Sequence, residues 1–339
     1  MATAIVSSDA GGAELLAAYV RDRRLKNPIF YLRGPAIMIF RKRGLIGPSY
    51  KFSREWDARI SRVLASMSWR DDIAFRMIRM ARKRNVKSDM ILDSWYDYSG
   101  RFGFPEACWR ENLPDKLIVC DEVAEKIVWR QHLDRFCGVE KIHSPYLNEL
   151  LKAYSYLSKK SGKSNDENSL LFLSSPISQA RKSNLKEFSG TVLDESDLLE
   201  DVIRICERKK IPVKIRLHPL QKYNRLMSYG PMIKNVSICD TGNSLAEDLF
   251  GCRHVVGFCS TALVIAALAG KTAISFSKGD IKDIFHWKEF GVYRHYGVHN
   301  CASVSSLNRT LSLKADLADL CMTNKNVKKT AVIASLRSQ

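Results

Sequence analysis

Two short stretches in the second half of the chain put anion-binding groups where a strand gives way to a turn. Residues 213–217 read as a strand ending in Arg216-Leu217-His218-Pro219. Residues 253–257 read as another, running through Phe258-Cys259 into Ser260-Thr261 ahead of a small-residue helix at 262–269. The hydroxyls of Ser260 and Thr261, with the free amides of the first helical turn, suit a phosphate. A histidine and proline at the end of a second parallel strand add a contact to the same anion. Each motif also has an ordinary reading: Ser-Thr caps helices, proline ends strands, and histidine sits in cores and on surfaces. Ser174-Ser175-Pro176 follows the expected strand 170–173 and is either a further ligand-side loop or a plain turn; the role of Arg216 is open.

In the first half, Asp93 follows the expected strand 89–92, where a carboxylate can take a proton as a general base. Asp97 is the competing acid, and helix capping is the plain alternative for Asp93. Asp9, Gly11 and Gly12 form the turn after the first strand, at the matching position in the first domain. Glu14 follows at a helix start, where the dipole favours an acid with or without a function.

These groups need strand ends to hold them, and the pattern supplies alternating strands and helices. Strands are expected at 3–6, 28–32, 36–40, 89–92 and 116–120, a loop at 44–49, and helices at 13–23, 54–67, 72–84 and 122–136. The polar, breaker-rich stretch 155–168 marks a domain boundary. Beyond it come strands at 170–173, 213–217, 236–239, 253–257 and 272–276, and helices at 193–209, from Ser244 onward, and at 262–269. Ser244 and Glu247 have capping-box spacing. The expected architecture is α/β, with two doubly wound domains, 1–155 and 169–310, facing across a cleft, and a helical tail at 311–339.

Length and composition agree: 339 residues with 45% apolar content fill two ordinary cores. The formal net charge of +18 points to anionic partners. Helix 72–84 is basic and amphipathic, and reads as a solvated face, or as a contact for an anionic membrane or an acidic glycan. Nucleic acid is not expected, because no reader motif or interleaved stacking aromatics accompany the charge. The nine cysteines form no CxxC pair or regular framework, which fits reduced thiols in the cytoplasm, and no metal-ligand spacing is present. The N-terminus lacks the regions of a secretory signal. The apolar run 255–276 is broken by Ser260-Thr261 and Gly270-Lys271, and so reads as loop, helix and stop rather than a membrane span.

The histidine-proline step, the serine-threonine step and the segment Gly257-Phe258-Cys259-Ser260-Thr261-Ala262-Leu263 resemble the donor motifs of bacterial GT-B glycosyltransferases. The enzymes in question use CMP-activated acidic sugars, namely the sialyl- and Kdo-type transferases of capsule and lipopolysaccharide assembly. CDP-glycerol transferases and sugar-nucleotide epimerases share the segment, so it marks the superfamily better than the donor. The resemblance implies that His218, Ser260 and Thr261 hold the departing CMP phosphate, with Arg216, Pro219, Ser174 and Ser175 near the donor. It further implies an acid in the first domain, Asp93 with Asp97 behind it, and Asp9, Gly11 and Gly12 on the acceptor side. Ser94 and Trp95 stand where sialyltransferases carry a second acid and a glycine, which favours a Kdo-type or separate branch. The implied activity is metal- and cofactor-independent transfer of an acidic sugar to a surface glycan or lipid-linked acceptor. The implied setting is the cytoplasm, with peripheral contact with the inner face of the plasma membrane. Alternatives are an epimerase, a polyol-phosphate transferase, or a non-catalytic binder of anionic glycans.

Overall fold

The computed structural model describes residues 1–68, 71–95, 97–161, 168–175, 195–218, 234–240, 242–258, 260–278 and 287–312. The expected tail therefore lies outside the described residues from 313 onward, as does Pro219. The chain divides into two compact units, Met1–Glu149 and Leu150–Gln339. The division falls within helix α6 (Pro145–Ser161), which carries the polar stretch expected as a linker as far as Ser161.

The first unit is built on a six-stranded parallel sheet of order β2-β1-β3-β4-β5-β6. Its strands are Ala2–Ser7, Pro28–Leu32, Ile60–Ser66, Lys87–Ile91, Lys116–Val119 and Gly138–Lys141, numbered β1 to β6 in chain order. The helices are α1 (Ala10–Asp22), α2 (Pro35–Lys42), α3 (Ile73–Lys83), α4 (Tyr98–Arg101) and α5 (Glu122–Arg130), with α6 after β6. One core gathers Ile5 and Leu64 from the sheet, Leu16 from α1 and Phe40 from α2, all buried.

Two expectations are corrected here. Residues 36–40 form helix rather than strand, because Pro35 stands in the first turn after Gly34 (φ 51°) and buries Ala36 and Phe40 one turn apart. Residues 54–67 hold strand β3 rather than a helix. Ile60, Val63, Leu64 and Met67 mimic a helical stripe, but β3 lies between β1 and β4 and is covered on both faces from Val63 to Ser66, which erases the alternation of an ordinary strand.

The second unit has the sheet order β12-β11-β10-β7-β8-β9, also wholly parallel. Its strands are β7 (Leu170–Leu173), β8 (Val213–Arg216), β9 (Val236–Ile238), β10 (His254–Gly257), β11 (Thr272–Phe276) and β12 (His299–Cys301). Helices α7 (Glu195–Lys209), α8 (Leu245–Phe250), α9 (Thr261–Leu268), α10 (Val292–Tyr296) and α11 (Val304–Thr310) complete it. Ser244 caps α8 in the expected capping box, with the Glu247 carboxylate accepting from the Ser244 amide at 2.6 Å. Leu199, Val202 and Ile205 of α7 pack on Leu170, Val213 and Ile215, which closes the core over the central strands. Among the described residues no helix is long and apolar enough to cross a membrane, so the apolar run 255–276 is β10, α9 and β11.

Candidate functional site

In the first unit the sheet order reverses direction between β1 and β3, and in an open parallel sheet the crevice beyond the carboxyl ends at such a point is where ligands sit. Ser7 ends β1 and Ser66 ends β3; their hydroxyls share a buried hydrogen bond of 2.8 Å. Asp9 caps α1, its Oδ1 accepting from the Gly12 amide at 2.9 Å. Asp93 follows β4 and leans against the same helix end. A Cβ on Gly11 would stand 2.6 Å from Asp93 Oδ2, and one on Gly12 would stand 2.7 Å from Ser66 Oγ. The two glycines thus let one carboxylate and one hydroxyl approach the helix backbone closely.

Two carboxylates thus stand beside one helix end. Asp9 is half-buried, and its pKa is pushed up to about 7, first by loss of water and then by the negative charge of Asp93; Arg101 and the Gly12 amide pull the other way. Arg101 on α4 is 3% exposed, and its Nη2 lies 3.3 Å from Asp93 Oδ1 while its Nη1 donates to Ser94 Oγ at 2.8 Å. Asp93 is therefore an oriented side chain in an ion pair rather than a helix cap. Asp97 is the cap: its Oδ1 accepts from Ser99 Oγ at 2.9 Å, the Gly100 amide at 3.1 Å and Gln131 Nε2 at 2.9 Å. Trp95 donates from Nε1 to Asp121 at 2.8 Å and ties the Asp93 loop to the start of α5. Arg101 and Ser66 had no assigned role in the sequence reading. Arg101 shows as a cation shortly after Asp93, whereas nothing in the sequence signals Ser66.

In the second unit the reversal falls between β7 and β10. The ends of β8, β7 and β10 lie side by side, so the His218, Ser174-Ser175 and Ser260-Thr261 segments share one edge of one sheet. Ser174 and Ser175 link them. The His218 amide donates to Ser174 Oγ at 3.3 Å, and Ser175 Oγ donates to the Phe258 carbonyl at 3.4 Å. The Ser175 amide donates to the buried Glu195 carboxylate at the start of α7, a residue without a role in the sequence reading. Gly257 permits the close pairing, since a Cβ there would meet the Leu173 carbonyl at 3.1 Å.

Ser260 caps α9, its hydroxyl accepting from the Ala262 amide at 3.3 Å, and Thr261 is the first helical residue. The ordinary role of a Ser-Thr step is thus filled. Arg216 is committed elsewhere. Its Nη1 pairs with the buried Asp248 carboxylate and donates to the Asn243 carbonyl at 3.3 Å, and Asn243 Nδ2 holds the other Asp248 oxygen at 2.9 Å. Among the described residues no group of three or more His, Cys, Asp and Glu could hold a metal ion.

No protein-family model matches the chain, and no curated protein matches it. Solved structures match it over nearly its full length. The glycotransferase of kitacinnamycin is 10% identical with a TM-score of 0.58, over 98% of this chain and 95% of that one. UDP-GlcNAc 2-epimerase from Neisseria meningitidis, bound to UDP-GlcNAc, is 12% identical with a TM-score of 0.56, over 98% and 94%. Anabaena Alr3699/HepE in complex with UDP-glucose is 11% identical with a TM-score of 0.58, over 99% and 95%. At these identities the likeness is one of fold: two Rossmann-like units in series, of GT-B type.

Proposed function

We propose that the protein is a glycosyltransferase that moves a sugar from a nucleotide-activated donor to an acceptor hydroxyl. The observation that carries this reading is the hydrogen-bonded joining of three strand ends at the switch point of the second sheet, where Ser174 and Ser175 tie the His218 segment to the β10–α9 turn. Such an edge suits a phosphate, with His218, Ser260, Thr261 and the amides of α9 as donors.

The first unit supplies the base. Asp93 takes the acceptor proton, the acceptor oxygen attacks the anomeric carbon, and the bond to the nucleotide phosphate breaks with its electron pair leaving on phosphate oxygen. Arg101 orients Asp93 for this step. Asp9, with a pKa near 7, can hold the abstracted proton at neutral pH. An acidic sugar carried by CMP is the finer form of the proposal and rests on the resemblance of the His218 and Ser260-Thr261 motifs. Two of the related folds named above, the Neisseria meningitidis epimerase and the Anabaena protein, carry uridine nucleotides, so the base of the donor is what an experiment separates first. The acceptor we propose is a surface glycan or lipid-linked sugar.

A thermal-shift series with CMP, CDP, UDP and GDP reads donor binding, since a ligand of the native state raises its melting temperature. We expect a shift with a pyrimidine nucleotide that His218→Ala removes, and loss of transfer in Asp93→Ala with the shift retained. Turnover preserved in both variants refutes the mechanism. Release of an altered sugar without acceptor assigns the epimerase alternative, and phosphorus retained in the product assigns polyol-phosphate transfer.

A further inference from the structure

We infer that an aromatic and arginine-rich face of the first unit docks on an anionic lipid surface. Among the described residues only six large hydrophobic side chains are exposed, and three of them, Phe104 (55%), Trp129 (50%) and Phe136 (44%), come from one stretch of chain. They are not scattered. Phe104 meets Trp109 edge-on at 5.7 Å between ring centroids, and Trp109 meets Phe136 in the same way at 5.6 Å. The Arg110 guanidinium lies 4.5 Å from the Phe136 centroid and 5.8 Å from that of Trp109. Trp129 stands one residue before the end of α5, and its backbone carbonyl accepts from the His132 amide at 3.0 Å, at the start of the turn that leads to Phe136.

The cationic rim comes from α3. Arg79 Nη1 bonds Asn112 Oδ1, and Arg82 bonds the Arg110 carbonyl at 3.2 Å and the Leu113 carbonyl at 2.7 Å. This fixes α3, which contains four cations and no acid within Ile73–Lys83, beside the Trp109–Asn112 turn. The arginines that make α3 a basic helix therefore do two things: Arg79 and Arg82 hold the aromatic turn in place, and they bring positive charge to its edge. Half-exposed aromatic rings beside cations match the interfacial zone of a bilayer, where rings sit at headgroup level and cations meet anionic lipid. A nucleic acid would need rings open on their faces for stacking, whereas Arg110 already covers Phe136 and Trp109. The inference is independent of the transfer reaction.

The test is co-sedimentation of the full chain with phosphatidylcholine vesicles, with and without phosphatidylglycerol. Binding is expected only to the anionic vesicles, weakened by salt as the screening length shortens. Replacing three half-exposed rings in Phe104→Ser/Trp129→Ser/Phe136→Ser should weaken it roughly a hundredfold or more, on the apolar area lost. The exposed Met38→Ser serves as control and should bind as the parent does. Brominated lipid should quench the tryptophan emission of the parent, and Trp129→Phe should remove part of that quenching. If the triple variant does not fold, Phe104→Ser alone with the quenching experiment decides. Equal binding by parent and ring variants, or equal binding to neutral vesicles, overturns the proposal. So does a self-associated parent that the ring variants turn into monomer without any vesicle binding.

Discussion

Asp9→Asn isolates the cost of placing two carboxylates at the start of α1. Asn caps a helix as well as Asp does, so the hydrogen bond from Gly12 survives and only the charge is removed. The folded pKa of Asp9 is about 7 against a reference of 3.8. The folded state therefore holds the proton more tightly than the unfolded state, and stability falls as pH rises from the lower value to the higher. Over the whole window this is about 4 kcal/mol, of which more than half is lost between pH 5 and pH 8. Five of the six tryptophans (Trp56, Trp69, Trp95, Trp109 and Trp129) belong to the first unit, so urea unfolding followed by tryptophan emission reports mainly on that unit. We expect Asp9→Asn to be more stable than the parent at pH 8 and the gap to shrink by about 2–3 kcal/mol at pH 5. Asp93→Asn should remove part of the same slope, because the Asp93 charge is the second-largest cause of the shift. Parallel pH profiles for the parent and Asp9→Asn over this range would refute the coupling.

The two neighbouring glycines should fail in different ways. Gly12→Ala drives a Cβ into buried Ser66 and should cost about 1–3 kcal/mol by urea unfolding, recovered when Ser66→Gly makes room. Gly11→Ala meets only the end of the Asp93 side chain, so it should lower kcat for transfer while stability changes by less than about 1 kcal/mol. Arg216→Met should destabilise the second unit by about 3 kcal/mol, because it strands the buried Asp248 carboxylate, yet leave the nucleotide-induced thermal shift unchanged. A lost shift in a folded Arg216→Met protein would return Arg216 to the donor site.

The sequence was most legible where local chemistry and tertiary context agree. Leu170–Leu173 and Thr272–Phe276 are short apolar runs bounded by breakers and are strands; the Ser244–Glu247 spacing is a capping box in the structure. Legibility failed at Ile60–Ser66, where burial of both faces removes the period that distinguishes strand from helix. It failed also at the edge strands Gly138–Lys141 and His299–Cys301, which went unnoticed because a half-exposed strand with few apolar residues leaves almost no pattern. In the site, Asp9, Gly11, Gly12 and Asp93 were each visible as residues at strand ends, but their mutual contact is a product of β1, β3 and β4 lying together. That adjacency is set by the sheet order, which no short window of sequence contains.

The residue types at the two sheet edges follow from the same topology. Where strand order reverses, the helices after the two flanking strands pack on opposite faces, so the strand ends between them are left uncovered. Backbone and side-chain groups there need partners that do not fill the opening. Serine answers this in both units: Ser7 with Ser66 spans the first reversal, and Ser174 and Ser175 bond the flanking His218 amide and Phe258 carbonyl at the second. Larger polar side chains could satisfy the same groups only by occupying the space where a ligand would sit. Glycine follows for a related reason, since Gly11 and Gly12 admit the Asp93 carboxylate and Ser66 hydroxyl to the α1 end, and Gly257 admits the Leu173 backbone to β10. At the first edge Asp9, Asp93 and Arg101 are held close enough to raise the pKa of Asp9 to about 7. Among the described residues the second edge carries hydroxyls, amides, His218 and the buried Glu195 carboxylate, which accepts from the Ser175 amide. In the proposed transfer the first edge would move the proton and the second would receive the anion.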